Sequence, residues 1–280
     1  MVKATRFRRQ SSLPGFGLTL GISLMWLTLI VLIPLSALFV KTMELTPAQF
    51  LDIILSARTF NALKLSFGLS LAAAVTSLVM GLIVVWALVR YRFPGRRLFD
   101  AIVDIPFALP TAVAGISLTA LFAPTGWLGA PLAGMGIKVA FTPLGIFVAM
   151  VFIGFPFVVR TVEPVLADLE CELEEVAVSL GANRWQVIAR VIFPTLLPAI
   201  LTGFALAFAR AVGEYGSVIF IAGNLPNISE IAPLLIVIRL AEFRYADAAA
   251  IAVAMLIVAF LVLFLINRLQ RWAQFRAPEL

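Results

Sequence analysis

Long apolar runs, rather than a regular mixture of apolar and polar positions, set the pattern of this chain. Six of them lie at 16–40, 66–89, 105–122, 139–159, 195–222 and 248–266. A helix of about 20 mostly apolar residues crosses the hydrocarbon of a bilayer. The runs therefore predict an all-α membrane protein with six transmembrane helices. The first run is too long for the core of a signal peptide, and no small-residue cleavage site follows it, so it is expected to remain as a span. A further apolar stretch, 231–238, is too short to cross. It is expected to form a short helix tucked against the bundle or a re-entrant piece.

Polar and helix-breaking residues qualify this pattern. Asn61 and Lys64 lie just before the second run and predict an irregular start to it. Pro106, Pro110 and Gly115 interrupt the third run. Proline removes a backbone donor and kinks a helix, and such a break is tolerated at membrane depth only where protein or a wet cavity covers it. The segment is either a pathway-lining or hinge element, or a helix starting at Pro110 with the earlier residues at the interface. In the fifth run, Arg210 and Glu214 are four residues apart, on one helix face and close enough to pair. A lone arginine at mid-span costs roughly 2.5–3.5 kcal/mol, and pairing offsets part of that. The pair is either an element of an anion pathway or gate, or a structural lock in the bundle.

Composition changes the picture mainly by exclusion. With 62% hydrophobic and 13% charged residues, the chain is too apolar for a soluble domain. It has no histidine, which removes imidazole catalysis and histidine metal sites. The single cysteine, Cys171, excludes an internal disulfide and a multi-cysteine metal site, and reads as a packing residue. Serines and threonines lie in apolar runs without a histidine base. No Gly-x-x-x-x-Gly-Lys-Ser/Thr occurs, so ATP is not bound here by a phosphate loop. The net charge of +6 sits at the ends of the runs rather than along one face, which argues against nucleic acid as a partner.

The same charges give an orientation. Lys3, Arg6, Arg8 and Arg9; Arg90, Arg92, Arg96 and Arg97; Arg160, Arg184 and Arg190; and Arg268, Arg271 and Arg276 all fall on one side of a six-span arrangement. Lys41, Arg58, Lys64, Lys138, Arg239 and Arg244 fall on the other. The positive-inside bias then puts both termini, and the loop after the fourth run, in the cytoplasm.

That loop carries the strongest motif. Glu163, Asp168, Glu170, Glu172, Glu174 and Glu175 precede Arg184 and Arg190. Two short helices meeting at Gly181 fit the sequence. Glycine ends the first, and Pro194 marks where the second ends and the fifth span begins. Val176, Leu180, Trp185, Ile188 and Val191 offer a side that can bury against a partner or the bundle. Glu175 and Ala177 are followed by Gly181, then nine residues, then Val191-x-Phe193-Pro194. This spacing resembles the "EAA" loop of permease subunits of binding-protein-dependent ABC importers; Val176, Val191 and Phe193 are apolar replacements within it. The resemblance implies the type I importer transmembrane fold and a coupling helix seated in a groove of a separate ATPase subunit. Glu175 would make polar contacts at the dock, with Ala177 beside it. Gly181 would form the bend, Arg184 a salt-bridging contact, and Pro194 the end of the motif. ATP and Mg would be bound by that partner, with no cofactor bound by this chain.

Other phrases narrow the family. Leu13-Pro14-Gly15-Phe16, Tyr91–Arg96, Asp104–Gly115, Phe155–Pro164 and Gly213–Asn224 resemble the T-type subunits of the sulfate/thiosulfate permease family. Molybdate and tungstate permeases share a similar Gly213–Gly216 phrase. The resemblance implies a complex with a related W-type permease, two ATPase copies and an extracytoplasmic sulfate-binding protein, in a bacterial inner membrane. The expected division is 1–61 for the tail, first span and outer loop, 62–266 for the permease core with its coupling loop at 160–195, and 267–280 for a cytoplasmic tail. Two rival classes stand beside this reading: a secondary anion transporter, which would want more intramembrane acids and an internal repeat, and a membrane-embedded assembly or receptor protein that moves nothing.

Overall fold

A computed structural model describes residues 16–276, and all regular structure among them is helical. In chain order, α1 (Phe16–Leu27) and α2 (Ile33–Thr42) are joined through a π-helical turn, Thr28–Leu32. A short α3 (Pro47–Leu55) leads to the 34-residue α4 (Ala57–Arg90). Next come α5 (Arg96–Val103), α6 (Ile105–Ala108), α7 (Thr111–Phe122) and α8 (Gly129–Gly134), and then the long α9 (Pro143–Ala167). The polar loop carries α10 (Cys171–Ser179) and α11 (Arg184–Val187), which runs on through a second π turn, Ile188–Ile192, into α12 (Phe193–Val212). The chain ends with α13 (Val218–Ile221), α14 (Ala232–Ala241) and α15 (Tyr245–Arg276).

Among the described residues, five helices are long and apolar enough to cross a membrane: Gly17–Thr42, Ala57–Arg90, Pro143–Ala167, Arg184–Val212 and Tyr245–Gln270. They correspond to five of the six apolar runs. The third run is broken. Leu109 and Pro110 are extended, with ψ of 133° and 135°, because proline cannot donate to a preceding carbonyl and pushes its neighbour out of the helical region. The 12 residues of α7 reach about 18 Å, short of the roughly 30 Å hydrocarbon layer.

Three other expectations are corrected. The second helix is regular from Ala57, so Asn61 and Lys64 sit inside it rather than before it; Ser56 caps it by accepting from the Thr59 amide. The fifth run is not one helix to residue 222. It stops at Val212, because Gly213 and Gly216 weaken the helix and the Glu214 carboxylate takes the Ser217 amide and hydroxyl instead. Pro194 does not separate two helices, since one helix runs from Arg184 to Val212. The π turn just before it, where the Phe193 amide donates to Ile188 rather than one residue later, widens the backbone next to the ring. Pro34 follows the first π turn in the same register, with Ile33 donating to Thr28. The short apolar stretch at 231–238 is the helix α14, packed on α15 and α4.

The packed centre is α4, α9 and α12. Helices in lipid gain by close van der Waals approach, which small residues permit. A Cβ on Gly81 would lie 2.7 Å from Val158 Cγ1, and one on Gly203 would lie 3.1 Å from Val158 Cα. Larger residues at either position would force α4 or α12 away from α9. Ser66, Ser70 and Ser77 are buried on one stripe of α4; Ser77 donates to the Val151 carbonyl, and Ser66 accepts from the Ala232 amide at 2.8 Å. The helix Gly17–Thr42 has no buried residue in its apolar window and touches the bundle where α2 meets α15.

Candidate functional site

The loop between α9 and α12 turns at Gly181, whose φ is +88°. The Gly181 amide donates to Val178 and the Ala182 amide to Ala177, the paired bonds that close a helix with a left-handed residue just past its end. This gives two motif residues a physical role. Gly181 is the left-handed position, and Ala177 supplies the carbonyl that the residue after the glycine needs. The next helix starts at once. The Asn183 side chain accepts from the Gln186 amide, while the Gln186 side chain accepts from the Asn183 amide. This reciprocal cap is legible as Asn-x-x-Gln but was not among the sequence expectations.

The loop has two faces. Leu173, Ala177, Ala182, Ile188 and Val191 pack against the buried cluster that holds Val85, Leu88, Leu166 and Ile192. Arg90, at the end of α4, forms an ion pair with Glu174 on α10. On the other face Val176 and Val178 are exposed, Leu180 is 84% exposed and Trp185 is 79% exposed. The apolar side expected from Val176, Leu180, Trp185, Ile188 and Val191 is thus divided: the last two face the bundle and the first three face outward. Glu175 and Arg184 are exposed beside those three, and neither forms an ion pair within the described residues.

The residues singled out in the third and fifth runs meet one another. Gly115 on α7 lies against Ser217, so that a Cβ there would fall 2.7 Å from Ser217 Cα and overlap its carbonyl oxygen. A Cβ on Gly216 would overlap the Thr111 hydroxyl. The broken third run and the Glu214 turn therefore cross backbone to backbone just beyond Pro110. Within the turn, Arg210 Nη1 is 2.5 Å from Glu214 Oε2. Glu214 Oε1 accepts from the Ser217 amide at 2.8 Å and the Ser217 hydroxyl at 2.9 Å. The Glu214 side chain is 2% exposed and the Arg210 side chain 32%. The pair is neutral in sum, yet its positive end is at the surface and its negative end is buried and fully hydrogen-bonded. Pro106 lies in α6, away from this crossing, next to Phe107, whose ring meets that of Phe157 edge-on at 5.0 Å.

Replacing Gly115 by alanine should force α7 off the turn. Overpacking of this kind costs about 1–3 kcal/mol. Detergent-solubilised complex carrying Gly115→Ala should melt lower than the parent, while Ser117→Ala, on the exposed face of α7, should not shift the melt. An unchanged melt for Gly115→Ala would mean that the two backbones are not in contact.

One charged cluster was missed. Arg160, near the end of α9, holds Asp104 through two bonds of 2.8 Å, and its Nη1 lies 2.7 Å from both Asp100 and Glu163. It clamps α5 and the start of α6 to α9. The Arg160–Glu163 spacing of three was visible in the chain, but nothing local pointed to carboxylates 56 and 60 positions away. On the opposite side, Arg58 binds Glu230 through two bonds of 2.8 and 2.7 Å across 172 positions.

The family model described as "Binding-protein-dependent transport system inner membrane component" matches residues 77–277. The chain is 50% identical over 258 residues to the sulfate transport system permease protein CysT of Escherichia coli (strain K12), covering 92% of this chain and 93% of that protein. It is 41% identical over 260 residues to the probable sulfate transport system permease protein cysT of Marchantia polymorpha, covering 93% and 90%. Among solved structures, a chain of the bacterial alginate ABC transporter, in complex with an alginate pentasaccharide-bound periplasmic protein, matches with a TM-score of 0.75 at 18% identity, covering 91% of this chain and 93% of that one. A chain of the inward-facing MetNI methionine ABC transporter matches with a TM-score of 0.58 at 18% identity, covering 76% and 94%. The fold is that of ABC importer transmembrane subunits, and the chain is a multi-pass inner-membrane permease. On the match of 201 of its 280 residues to the family model, and on the near full-length identity to these relatives, the chain belongs to the family of binding-protein-dependent transport system inner membrane components.

Proposed function

We infer that this chain is a membrane-spanning permease subunit of an ATP-driven importer that moves sulfate or thiosulfate into the cytoplasm. The observation that carries the reading is the 50% identity, over 92% of the chain, to a sulfate transport system permease. The chain crosses a bacterial inner membrane six times, the third crossing being the broken segment from α5 to α7, with both termini cytoplasmic, an orientation that the distribution of basic residues supports. The permease core spans 62–266. Residues 1–61 add the tail, first span and outer loop, and 267–280 form a cytoplasmic tail.

In this reading the exposed face of the loop is the dock. Val176, Leu180 and Trp185 enter a groove of an ATPase subunit, Glu175 and Arg184 make polar contacts at its rim, and Gly181 holds the angle between the two helices. Ala177 and Pro194 serve the loop from inside, through the α10 closure and the widened turn into α12. Two ATPase copies bind ATP and Mg. A related W-type permease completes the membrane part, and an extracytoplasmic binding protein delivers the anion. Closure of the ATPases shifts α10 and α11, and the shift passes directly into α12, because α11 and α12 are one helix. That helix carries Arg210, and the turn just past its end carries Glu214, to the crossing with α7. Pro110 and Gly115 let α7 move there as a separate piece, with Pro106 in the short α6 that precedes the break. The exposed end of Arg210 supplies a positive field to a divalent anion.

Cells lacking this chain test the reading. Uptake of labelled sulfate should fall to background and return with the wild-type chain. Unlabelled thiosulfate should compete. Restored uptake of molybdate or tungstate, without sulfate, would replace the substrate but keep the class.

A further inference from the structure

At the N-terminal end of α4, on the side given to the exterior above, a cleft of about 310 Å³ opens between that helix and the segment before α14. Asn61, Lys64 and Gly68 line it from α4, and Asn227 lines it from the segment. Among the described residues, no acidic one lines it. The Asn61 amide donates to the Asn227 side-chain oxygen at 3.3 Å, which leaves the Asn227 NH2 group as a donor beside Lys64. Asn227 is held at φ +64°, a left-handed conformation that asparagine tolerates and most residues resist.

The ammonium of Lys64 differs from its neighbours. On this side Lys41 pairs with Glu44, Arg58 with Glu230, Arg239 with Glu242, and Arg244 with Asp247. Lys64 is exposed and has no ion pair or hydrogen bond among the described residues; Lys138, also without an ion pair, does not line the cleft. An unneutralised cation with amide donors and no acceptor of opposite charge suits an oxyanion, whose oxygens only accept. Behind the cleft lies packed apolar structure. Leu65 and Leu69 pack into the same apolar cluster as Tyr215, Val218 and Ile219, the turn that begins at Glu214. Gly68 faces open space, with no described residue within 4 Å of where its Cβ would be.

We propose that this cleft is the first contact of the permease with its anion, a tetrahedral oxyanion received on the outer side, with Lys64 as the charged contact and Asn227 and Asn61 as amide contacts. The proposal rests on the sulfate reading above and adds a transit site before the Arg210–Glu214 crossing. A lysine that merely reaches toward lipid headgroups would carry no such role.

The test uses the whole complex in vesicles, with binding protein, ATP and labelled sulfate. Lys64→Gln removes a charge-assisted contact, so the maximal uptake rate should fall about tenfold. Complex yield should stay at the parental level. Lys64→Arg, which keeps the charge, should retain most of the uptake. Gly68→Asp puts a carboxylate into the cleft and should lower uptake in the same way. Parental uptake by Lys64→Gln would overturn the proposal. If Lys64→Gln lowers complex yield, Gly68→Asp decides, and unchanged uptake per complex overturns the proposal. Failure of the wild-type complex to take up sulfate would instead overturn the functional reading beneath it.

Discussion

Gly181→Val should leave the chain in the membrane and abolish uptake. The position has φ +88° and open space around it, so the effect comes from backbone strain and not from a clash. Holding a β-branched residue in the left-handed region costs about 1–3 kcal/mol. That shifts the population of the bent loop by roughly 5- to 150-fold. Unbending removes the bonds from Gly181 to Val178 and from Ala182 to Ala177, and with them the angle between α10 and α11. Sulfate uptake and co-purification of the ATPase should fall together, while the amount of inserted permease stays constant. A graded series checks the cause: Gly181→Asn, which tolerates this conformation, should be mildest, Gly181→Ala intermediate and Gly181→Val worst. Equal loss in all three would point to glycine's lack of a side chain rather than to its backbone angle.

The second large effect is at Arg210 and Glu214. Removing Arg210 leaves a carboxylate whose side chain is 2% exposed without its cation. Breaking a buried pair from one side costs about 3–5 kcal/mol, and the lower end applies because Arg210 is itself 32% exposed and partly screened. Arg210→Gln should therefore cut the yield of assembled complex sharply. Glu214→Gln should be milder, since a glutamine oxygen can still accept from Ser217. The double change should recover yield beyond the sum of the single effects, and yet transport poorly, because the exposed positive end is gone. Additive effects on yield would show that the two residues do not interact. Recovery of transport along with yield would reduce the pair to a structural lock.

Both of these sites were legible in the sequence. The Gly181 bend is local: its helix, its left-handed residue and its cap lie within about ten positions, and local patterns carry that information. The Arg210–Glu214 pair was legible for the same reason, being four residues apart on one turn. What the chain hid is non-local. The crossing of Gly115 with Ser217, the Arg160 clamp on Asp100 and Asp104, and the Arg58–Glu230 pair join segments through tertiary packing that no periodicity encodes. Apolar length alone also misled at two ends. Run 195–222 reads as continuous because a buried turn and a short helix are as apolar as a span, and Pro194 reads as a boundary because a π turn leaves no mark in composition. The third run was legible as interrupted. The form of the interruption, one helical turn and then two extended residues, follows from Pro110 acting on Leu109.

In the function proposed above, this permease moves sulfate inward at the expense of ATP hydrolysed by a docked partner. Its most direct test reconstitutes the permeases, the ATPase and the binding protein in sealed vesicles, and follows labelled sulfate and ATP hydrolysis together. Accumulation against a gradient should require both ATP and binding protein, persist when proton and sodium gradients are collapsed, and stop with Gly181→Val. Accumulation without ATP, driven by an imposed proton or sodium gradient, would contradict the account.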